Sequence, residues 1–446
     1  MGARGTPAVE RASRALSLTI PRVLQMFVHF SITTMTGSQS GTQDPAKFAP
    51  PANMSVKNWV STAKAMGAPV VALTAKHEAG FCIWPSKYSN YTIASSPTIG
   101  HRDLVREFVD ECRVQGIKPG FYFTTGAYTP PHCNVSGTVD GGCMMDYQRN
   151  QITELATEYG EIAYWWFDHH NSDPVHLMFD EVVEKHLPSA VMLGPDSWLN
   201  GEETGFASYP LYYAVNDTDG TRHSRPIPAH SPDNATNTMD GRGAFFKSWE
   251  SDCSFFNGCH PWFCCGTVQD LNTTMQHWES SYGRGTNYIL NVPPSPNGEI
   301  EPALVEASKN FRLERERRYG DGKELGATTG IVAAGETLTL TLPKASRVDR
   351  VWLSEQALAT DGQLVSAYTL EAQIAGAWEP LVLTPHPNAV CPMRAPGACG
   401  GKTIGTHHID QLSESEEMSA LRLTVVDVVA EGGKPTINMK AFLIAA

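Results

Sequence analysis

The 446-residue chain has no apolar run long enough to cross a bilayer, and basic charge is scarce. A formal net charge of −13 makes nucleic acid and anionic membranes unfavourable partners, and it favours neutral or weakly charged ligands. No glycine-rich nucleotide fingerprint follows the first predicted strand, and no serine elbow follows the later ones. These absences argue against nucleotide binding and serine hydrolase chemistry, and they predict no membrane or nucleic-acid partner.

The cysteines and sequons point to the secretory pathway, although the first 20 residues lack the continuous apolar stretch of a signal peptide. Ten cysteines are present, and short-range disulfides suit the pairs Cys133–Cys143, Cys253–Cys259 and Cys391–Cys399. Six sequons accompany them, at Asn53, Asn90, Asn134, Asn216, Asn234 and Asn272. We therefore expect a secreted or lysosomal/vacuolar protein, and we expect that its native leader is missing here or that its start is misassigned. A zinc site near Cys253, Cys259, Cys264, Cys265 and His260 is the alternative, but the spacing fits no two-pair zinc template.

Strand-like and helix-like segments alternate over about 250–300 residues, in a chain too long for one core. Strands are predicted at 26–30, 69–74, 118–123, 163–167, 190–193 and 288–292, with helices at 58–66, 102–115, 148–159, 175–187, 271–282 and 304–315. This alternation predicts an α/β fold of the (β/α)8-barrel type, with a doubly wound sheet as the alternative.

Beyond about residue 325 the pattern changes to short alternating strands at 336–342, 350–353, 368–372 and 421–426. We expect an all-β sandwich there. The predicted division is an N-terminal extension (1–20), a catalytic barrel (21–322) and a C-terminal β-sandwich (323–446).

In parallel barrels the active site lies at the carboxyl ends of the strands, so the polar residues at those ends are the candidates. They include His29, Lys76, His77, Glu78, Thr124, Thr125, Asp168, His169, His170, Asp196, Trp198, Trp249 and Glu250. Two carboxylates between aromatic walls suit glycoside hydrolysis, in which one acts as nucleophile and the other as acid/base. Asp168, after the apolar segment 163–167, is the predicted nucleophile, and Glu250 is the second carboxylate.

Each candidate also has a structural interpretation. Asp168 could cap a following helix, Glu250 could be a salt-bridge residue, and isolated histidines or tryptophans are more often core than ligand. A metal-dependent barrel hydrolase using His77, Glu78, Asp168, His169 and His170 is a further alternative. Its usual His-x-His pair is absent from the first strand.

Several ordered motifs resemble glycoside hydrolase family 29, the α-L-fucosidases. Residues 27–30 (FVHF) are similar to its "FxHF" strand, and residues 73–88 (LTAKHEAGFCIWPSKY) are similar to "LTAKHHDGFCLWPSKY". Residues 194–198 resemble "GPDxxW" and residues 283–294 resemble "GRxxxxLLNVPP", both closest to the subgroup acting on branched α-1,3/1,4-linked fucose. The turn Thr403-Ile404-Gly405 resembles the family's C-terminal sandwich.

The resemblance implies a retaining exo-glycosidase without a cofactor, acting on fucosylated oligosaccharides or glycoconjugates. Asp168 matches the nucleophile and Glu250 the acid/base, with Asp252 as a second candidate for the latter. The implied substrate contacts are His29, His77, Glu78, Trp84, Tyr122, Trp166 and Trp262.

Four positions depart from the family pattern. They are Ser31 for glycine, Gln39-Ser40 for a Glu-Trp pair, Glu78 for histidine, and His169-His170 where a small residue follows the nucleophile. The alternatives are therefore altered specificity, for example toward L-galactose, or a non-catalytic sugar-binding protein.

Overall fold

A computed structural model describes most of the two predicted domains. The described residues are 24–125, 128–168, 182–192, 197–199, 203–207, 209–211, 214–215, 245–246, 248–356, 363–384, 401–429 and 432–444. Several predictions lie outside them: the N-terminal extension 1–20, the motif start at 194–196, residues His169 and His170, the pair Cys391–Cys399, and the sequons at Asn216 and Asn234.

Eight parallel strands form the sheet of the first domain. They are β1 (Leu24–Val28), β2 (Val70–Lys76), β3 (Lys118–Thr124), β4 (Tyr164–Asp168), β5 (Val191–Met192), β6 (Ser197–Leu199), β7 (Ser248–Ser254) and β8 (Asn287–Asn291). Their order in the sheet is β5-β4-β3-β2-β1-β8-β7-β6. Strands that follow one another in the chain are therefore neighbours in the sheet, except β5 and β6, which lie at its two edges, and the first strand lies beside the last.

The pairing of β1 with β8 joins the first and last strands side by side within one barrel-like sheet. Leu24 pairs with Tyr288 and Phe27 with Asn291, while the other edge of β1 pairs with β2. An open doubly wound sheet would instead leave its first strand away from the last. Within the described residues the sheet ends at β5 and β6. The predicted (β/α)8-type fold is confirmed.

Helices cover the outside of this sheet, as the helical spacing of apolar residues predicted. The principal ones are α1 (Ile32–Thr36), α2 (Val56–Met66), α3 (Leu104–Gln115), α4 (Gly141–Glu158), α5 (Leu271–Ser281) and α6 (Pro302–Tyr319). In α3 the Asp103 side chain caps the first turn by accepting from the Arg106 amide, and Gly116 ends the helix at φ 71°. Among the described helices, none combines the length and apolarity that a membrane span requires.

The second domain is a six-stranded antiparallel β-sandwich. Its strands are β9 (Gly326–Ile331), β10 (Thr337–Glu355), β11 (Val365–Ile374), β12 (Ala377–Pro380), β13 (His408–Val428) and β14 (Thr436–Phe442), in the order β9-β14-β10-β13-β11-β12. The predicted strands at 336–342 and 350–353 belong to the single strand β10. The register between β10 and β13 shifts after Thr341 and again after Val348. The sequence between the two predicted strands resembles a turn because the strand is irregular there.

Glu279 on α5 joins the two domains from a buried position. Its carboxylate accepts hydrogen bonds from Arg318 (2.9 Å) and Tyr319 (2.9 Å) on α6. It also accepts from Gln411 (3.0 Å) and Arg350 (3.3 Å) of the sandwich. A buried carboxylate with four donors is fully compensated, so it fixes the sandwich against the barrel.

Candidate active site

Asp168 is the last residue of β4, and the neighbouring strand supplies a hydrogen bond to its carboxylate. Thr124 pairs with Asp168 across β3 and β4, and Tyr122 pairs with Trp166 two residues earlier. The Tyr122 hydroxyl donates to Oδ2 of Asp168. The Thr125 amide (3.1 Å) and hydroxyl (3.0 Å) donate to the Asp168 carbonyl oxygen. The strand end is therefore fixed, with the carboxylate half-buried at the carboxyl edge of the barrel.

Aromatic rings form the wall beside this carboxylate. Tyr122 stacks on Trp166 (5.1 Å, 16°) and on His77 (5.2 Å, 11°). His29 lies 5.2 Å from Tyr122 and 5.3 Å from Trp262, and Phe263 closes the group against both histidines. The structure thus brings together five predicted site residues: His29, His77, Tyr122, Trp166 and Trp262. Stacked rings interleaved with imidazoles suit the apolar faces and hydroxyls of a sugar.

His29 is held in one tautomer by its neighbour on the last barrel strand. The Asn291 amide donates from Nδ2 to the Trp262 carbonyl (2.7 Å), which turns its Oδ1 toward His29 Nδ1 at 2.8 Å. Burial lowers the pKa of His29 to about 4, and the hydrogen bond with Asn291 offsets part of this. The ring is therefore neutral at pH 7, with Nδ1–H donating and Nε2 available as an acceptor for a hydroxyl.

Burial raises the pKa of the Tyr122 hydroxyl well above its usual range, and the adjacent carboxylate of Asp168 adds to this effect. Glu78 and Glu203 add smaller contributions of the same sign. Both glutamates therefore lie within electrostatic range of the Tyr122 hydroxyl. Glu78 is half-buried and directly follows His77.

Glu203 is a second carboxylate at this site that sequence reasoning missed. The Trp262 indole N–H donates to Oε1 of Glu203 (3.1 Å), and Nε2 of His260 lies 3.6 Å from Oε2. Its side chain is 49% exposed, so a ligand can reach it. Its backbone has φ 55°, a conformation that non-glycine residues rarely adopt and that is more frequent at functional sites. Two adjacent glutamates, Glu202 and Glu203, were the available signal, but neither ends a predicted strand.

Glu250 occupies a different level of the barrel. The prediction that a strand ends near Trp249-Glu250 is wrong, because β7 runs from Ser248 to Ser254 and Glu250 is only its third residue. The Glu250 side chain is 0% exposed and accepts from the Tyr164 hydroxyl at 2.5 Å. Tyr164 begins β4 and Asp168 ends it, and four residues of strand span about 13 Å. Glu250 therefore lies toward the amino-terminal end of the barrel, and its acid/base role stays a prediction.

Trp84 lies outside the aromatic wall. Its side chain is buried, and its indole N–H donates to Oε2 of Glu154 on α4 at 2.7 Å. Glu154 also accepts from the Lys87 amide at 3.0 Å. These contacts give Trp84 a structural role between the sheet and the helices, and its predicted contact with substrate is untested.

The disulfides predicted at Cys133–Cys143 and Cys253–Cys259 are both present, and Cys264 and Cys265 form a third bond. Among the described residues, two groups have potential ligand atoms close enough to share an ion: His132 with Cys133 and Cys143, and His277 with Cys253 and Cys259. In both groups the cysteines are bonded to each other, and neither group includes Asp168 or His77. The metal-hydrolase alternative draws no support from these groups.

The sequence model of the alpha-L-fucosidase family matches residues 37–311. The chain belongs to this family. The family segment covers β2 to β8, and it includes both Asp168 and Glu203. The resemblance to glycoside hydrolase family 29 is thereby confirmed.

Two named relatives show how far the similarity extends. The chain is 30% identical over 301 residues to alpha-L-fucosidase 1 of Arabidopsis thaliana, with 65% of this chain and 57% of the relative aligned. It is 42% identical over 287 residues to tissue alpha-L-fucosidase of Bos taurus, with 56% and 50% aligned. The chain thus spans between half and three-fifths of the length of these relatives.

Solved structures of low sequence identity share the whole architecture. A Ruminococcus gnavus GH29 fucosidase in complex with fucose superposes with TM-score 0.78 at 18% identity, covering 99% of this chain and 97% of that one. A glycoside hydrolase 29 family member from an unknown rumen bacterium gives TM-score 0.79 at 24% identity, covering 97% and 77%. At these identities the similarity shows the fold, which comprises the barrel and the sandwich together.

Proposed function

We propose that the chain is a retaining exo-glycosidase that hydrolyses terminal α-L-fucosyl linkages, of the α-1,3/1,4 type. The observation that carries the proposal is the Asp168 carboxylate at the end of β4, held by the Tyr122 hydroxyl beside the aromatic wall. Family membership supports the fucosyl group, and the motifs at 194–198 and 283–294 support the linkage. Fucosylated oligosaccharides or glycoconjugates are the proposed substrates.

In the first step the Asp168 carboxylate attacks the anomeric carbon of the sugar. The bond from that carbon to the leaving oxygen breaks as a carboxyl group gives this oxygen its proton, and a glycosyl ester forms on Asp168. In the second step the resulting carboxylate takes a proton from water. The water oxygen attacks the anomeric carbon and Asp168 is released. Two displacements leave the sugar with its original anomeric configuration.

Glu203 is the better-supported proton donor of the two glutamates. Retaining enzymes need their two carboxyl groups about 5–5.5 Å apart, with the acid facing the leaving group. Glu203 shares the Tyr122–Trp262 wall with Asp168 and is half-exposed. Glu250 is enclosed beside Tyr164 near the opposite end of the strands. We therefore assign proton donation to Glu203, with Glu250 as the alternative that the sequence predicted.

Turnover of an aryl α-L-fucoside tests the nucleophile. Asp168→Ala is expected to lower kcat by about 10⁴-fold or more, because covalent catalysis is lost with its only nucleophile. Asp110→Ala, which removes an exposed helical carboxylate, is the matched control and keeps wild-type turnover. Full activity in Asp168→Ala contradicts the assignment. Binding of fucosylated glycans without turnover of any fucoside by the wild type favours the non-catalytic alternative.

Leaving-group dependence separates the two glutamates. Loss of the acid slows departure of a poor leaving group such as phenol far more than that of 4-nitrophenol, which needs little protonation. Glu203→Gln is expected to lower kcat/KM for the phenyl fucoside about 10²-fold, with a much smaller loss for the nitrophenyl substrate. Glu250→Gln is expected to show no such difference. The opposite pattern returns the role to Glu250.

We further propose that the protein is secreted or reaches a lysosomal or vacuolar compartment. The two structural disulfides Cys133–Cys143 and Cys253–Cys259 support an oxidising environment. Four sequons, at Asn53, Asn90, Asn134 and Asn272, lie within the described part of the chain. Retention of both disulfides and attached glycan in protein purified from its native source tests this.

A further inference from the structure

The short segment 203–207 carries Glu203. Two of its backbone amides donate hydrogen bonds to one residue of β7, Asp252. The Glu203 amide donates to Oδ1 of Asp252 at 2.8 Å, and the Gly205 amide donates to the Asp252 carbonyl oxygen at 3.1 Å. Asp252 is 2% exposed, two residues beyond Glu250 along β7. A buried carboxylate therefore holds the backbone of Glu203 directly.

Helix α5 fastens the same segment from the other side. The Ser281 hydroxyl donates to the Gly205 carbonyl oxygen at 2.6 Å, and the Ala207 amide donates to the Ser280 carbonyl at 3.1 Å. The Phe206 ring meets His277 edge-on at 4.7 Å. These contacts leave the segment little freedom to move relative to α5.

Gly205 makes this docking possible. Its φ of 69° favours glycine, and a Cβ at this position would lie 2.8 Å from the His277 ring. His277 in turn lies against the disulfide, with Nδ1 3.5 Å from the sulfur of Cys253, the residue after Asp252. The disulfide to Cys259 and the His277 ring thus form a rigid backing for the segment.

We propose that Asp252 is a positioning residue that sets the Glu203 carboxyl at the leaving group. This rests on the proposed role of Glu203 as proton donor. The Trp262 indole N–H holds the carboxyl group of Glu203, and the Asp252 carboxylate holds the backbone amide of the same residue. The hydrogen bond from the Gly205 amide to the Asp252 carbonyl helps to maintain the positive φ of Glu203. Without the Asp252 carboxylate the Glu203 amide loses its acceptor and the Glu203 carboxyl moves off the leaving oxygen, although the backbone bond at Gly205 remains. Asp168 stays in place because its strand is held by Tyr122 and Thr125.

The test compares Asp252→Ala, which removes the acceptor, with Asp252→Asn, whose amide oxygen can still accept from the Glu203 amide. Asp252→Ala is expected to lower kcat/KM for phenyl α-L-fucoside by about 10-fold or more, and to change that for the 4-nitrophenyl substrate much less. Asp252→Asn is expected to recover most of the loss. Ser251→Ala is the matched control. Ser251 precedes Asp252 on β7 and points to the other face of the strand, and the substitution deletes its buried hydrogen bond with Thr286.

Gly205→Ala provides a second variant that leaves Asp252 intact. Its methyl group would collide with His277 and displace the segment, so the same leaving-group dependence is expected. It also covers the case in which Asp252→Ala does not fold.

The outcomes separate the two proposals. If Glu203→Gln shows the leaving-group dependence but Asp252→Ala and Gly205→Ala do not, the positioning role is overturned and the acid assignment stands. Equal losses on both substrates in Asp252→Ala also overturn it, because they indicate a general structural role. If Glu203→Gln lacks the dependence, the acid assignment fails and the positioning role fails with it.

Discussion

The Tyr122 hydroxyl donates to the Asp168 carboxylate across adjacent parallel strands, and the same phenol ring is stacked between Trp166 and His77. The ring contacts fix where the hydroxyl lies, and the hydroxyl fixes where the carboxylate of Asp168, the proposed nucleophile, lies. Orientation of Asp168 therefore depends on a side chain that has no acid–base role of its own.

Tyr122→Phe keeps the stacked ring and removes only the hydroxyl. A hydrogen bond to a charged group contributes roughly 1.5–3 kcal/mol, so kcat on an aryl fucoside is expected to fall by about 10- to 100-fold. KM is expected to change little, because the ring stays stacked on Trp166 and His77 and the pocket wall is retained. Steady-state kinetics measure both, and an unchanged kcat shows that Asp168 is oriented by other contacts.

Trp84→Phe distinguishes the structural role of Trp84 from the substrate contact that the family pattern implies. Loss of the indole N–H leaves a buried oxygen of Glu154 without its 2.7 Å donor. We expect the free energy of unfolding to fall by about 1–3 kcal/mol, with KM for the fucoside unchanged. Denaturant titration and kinetics check this, with Trp166→Phe as the pocket comparison. A raised KM at unchanged stability returns Trp84 to the substrate site.

Glu78 stands where the family has a histidine, and its half-buried carboxylate contributes to the raised pKa of the Tyr122 hydroxyl. A carboxylate accepts strongly from hydroxyls, and L-galactose carries one hydroxyl more than fucose. In Glu78→Leu, the ratio of kcat/KM for an aryl α-L-galactoside to that for the fucoside is expected to fall about 10-fold. Exposed Glu161→Gln is the control. An unchanged ratio removes Glu78 from sugar selection.

Acid lability is predicted from two buried histidines. Burial lowers the pKa values of His29 and His277 to about 4, so between pH 6.5 and 4 the folded protein binds fewer protons than the unfolded chain. The free energy of unfolding therefore falls as pH drops through this window, by at most about 3 kcal/mol per histidine, and it is unaffected by them above pH 6.5.

Denaturation at several pH values between 7 and 4.5 measures this dependence. His277→Gln is expected to flatten the pH dependence, whereas exposed His101→Gln leaves it as in the wild type. An equally steep fall in His277→Gln would contradict the assignment of the effect to that ring.

The fold and most of the aromatic wall were predictable because they follow local patterns. Asp168, His29 and Tyr122 lie at or near the ends of apolar strand segments, and strand ends meet at one edge of a parallel barrel. Glu203 was not predictable in this way. Its place depends on a short segment whose docking requires Asp252, Gly205 and His277, which are separate in sequence and meet only in the fold.

The predicted strand end at Trp249-Glu250 is wrong for a different reason. The sequence around these two residues predicts the end of a strand. In the structure β7 continues four residues further, to Ser254, so Glu250 faces Tyr164 instead of the wall around Asp168. Strand length is set by pairing with β8 and β6, which lie far away along the chain, and local composition carries little information about it.

The hydrogen bond between His29 and Asn291 joins residues 262 positions apart. Its partners lie on the first and last strands of the barrel, so an emerging chain cannot complete the pocket until nearly two-thirds of it has been synthesised. Contacts of such separation slow folding, because a long stretch of chain must be ordered before they form. Until then the rings of Trp166, Tyr122 and Phe27, which are buried in the folded protein, have no opposing strand to cover them, and the nascent protein exposes them.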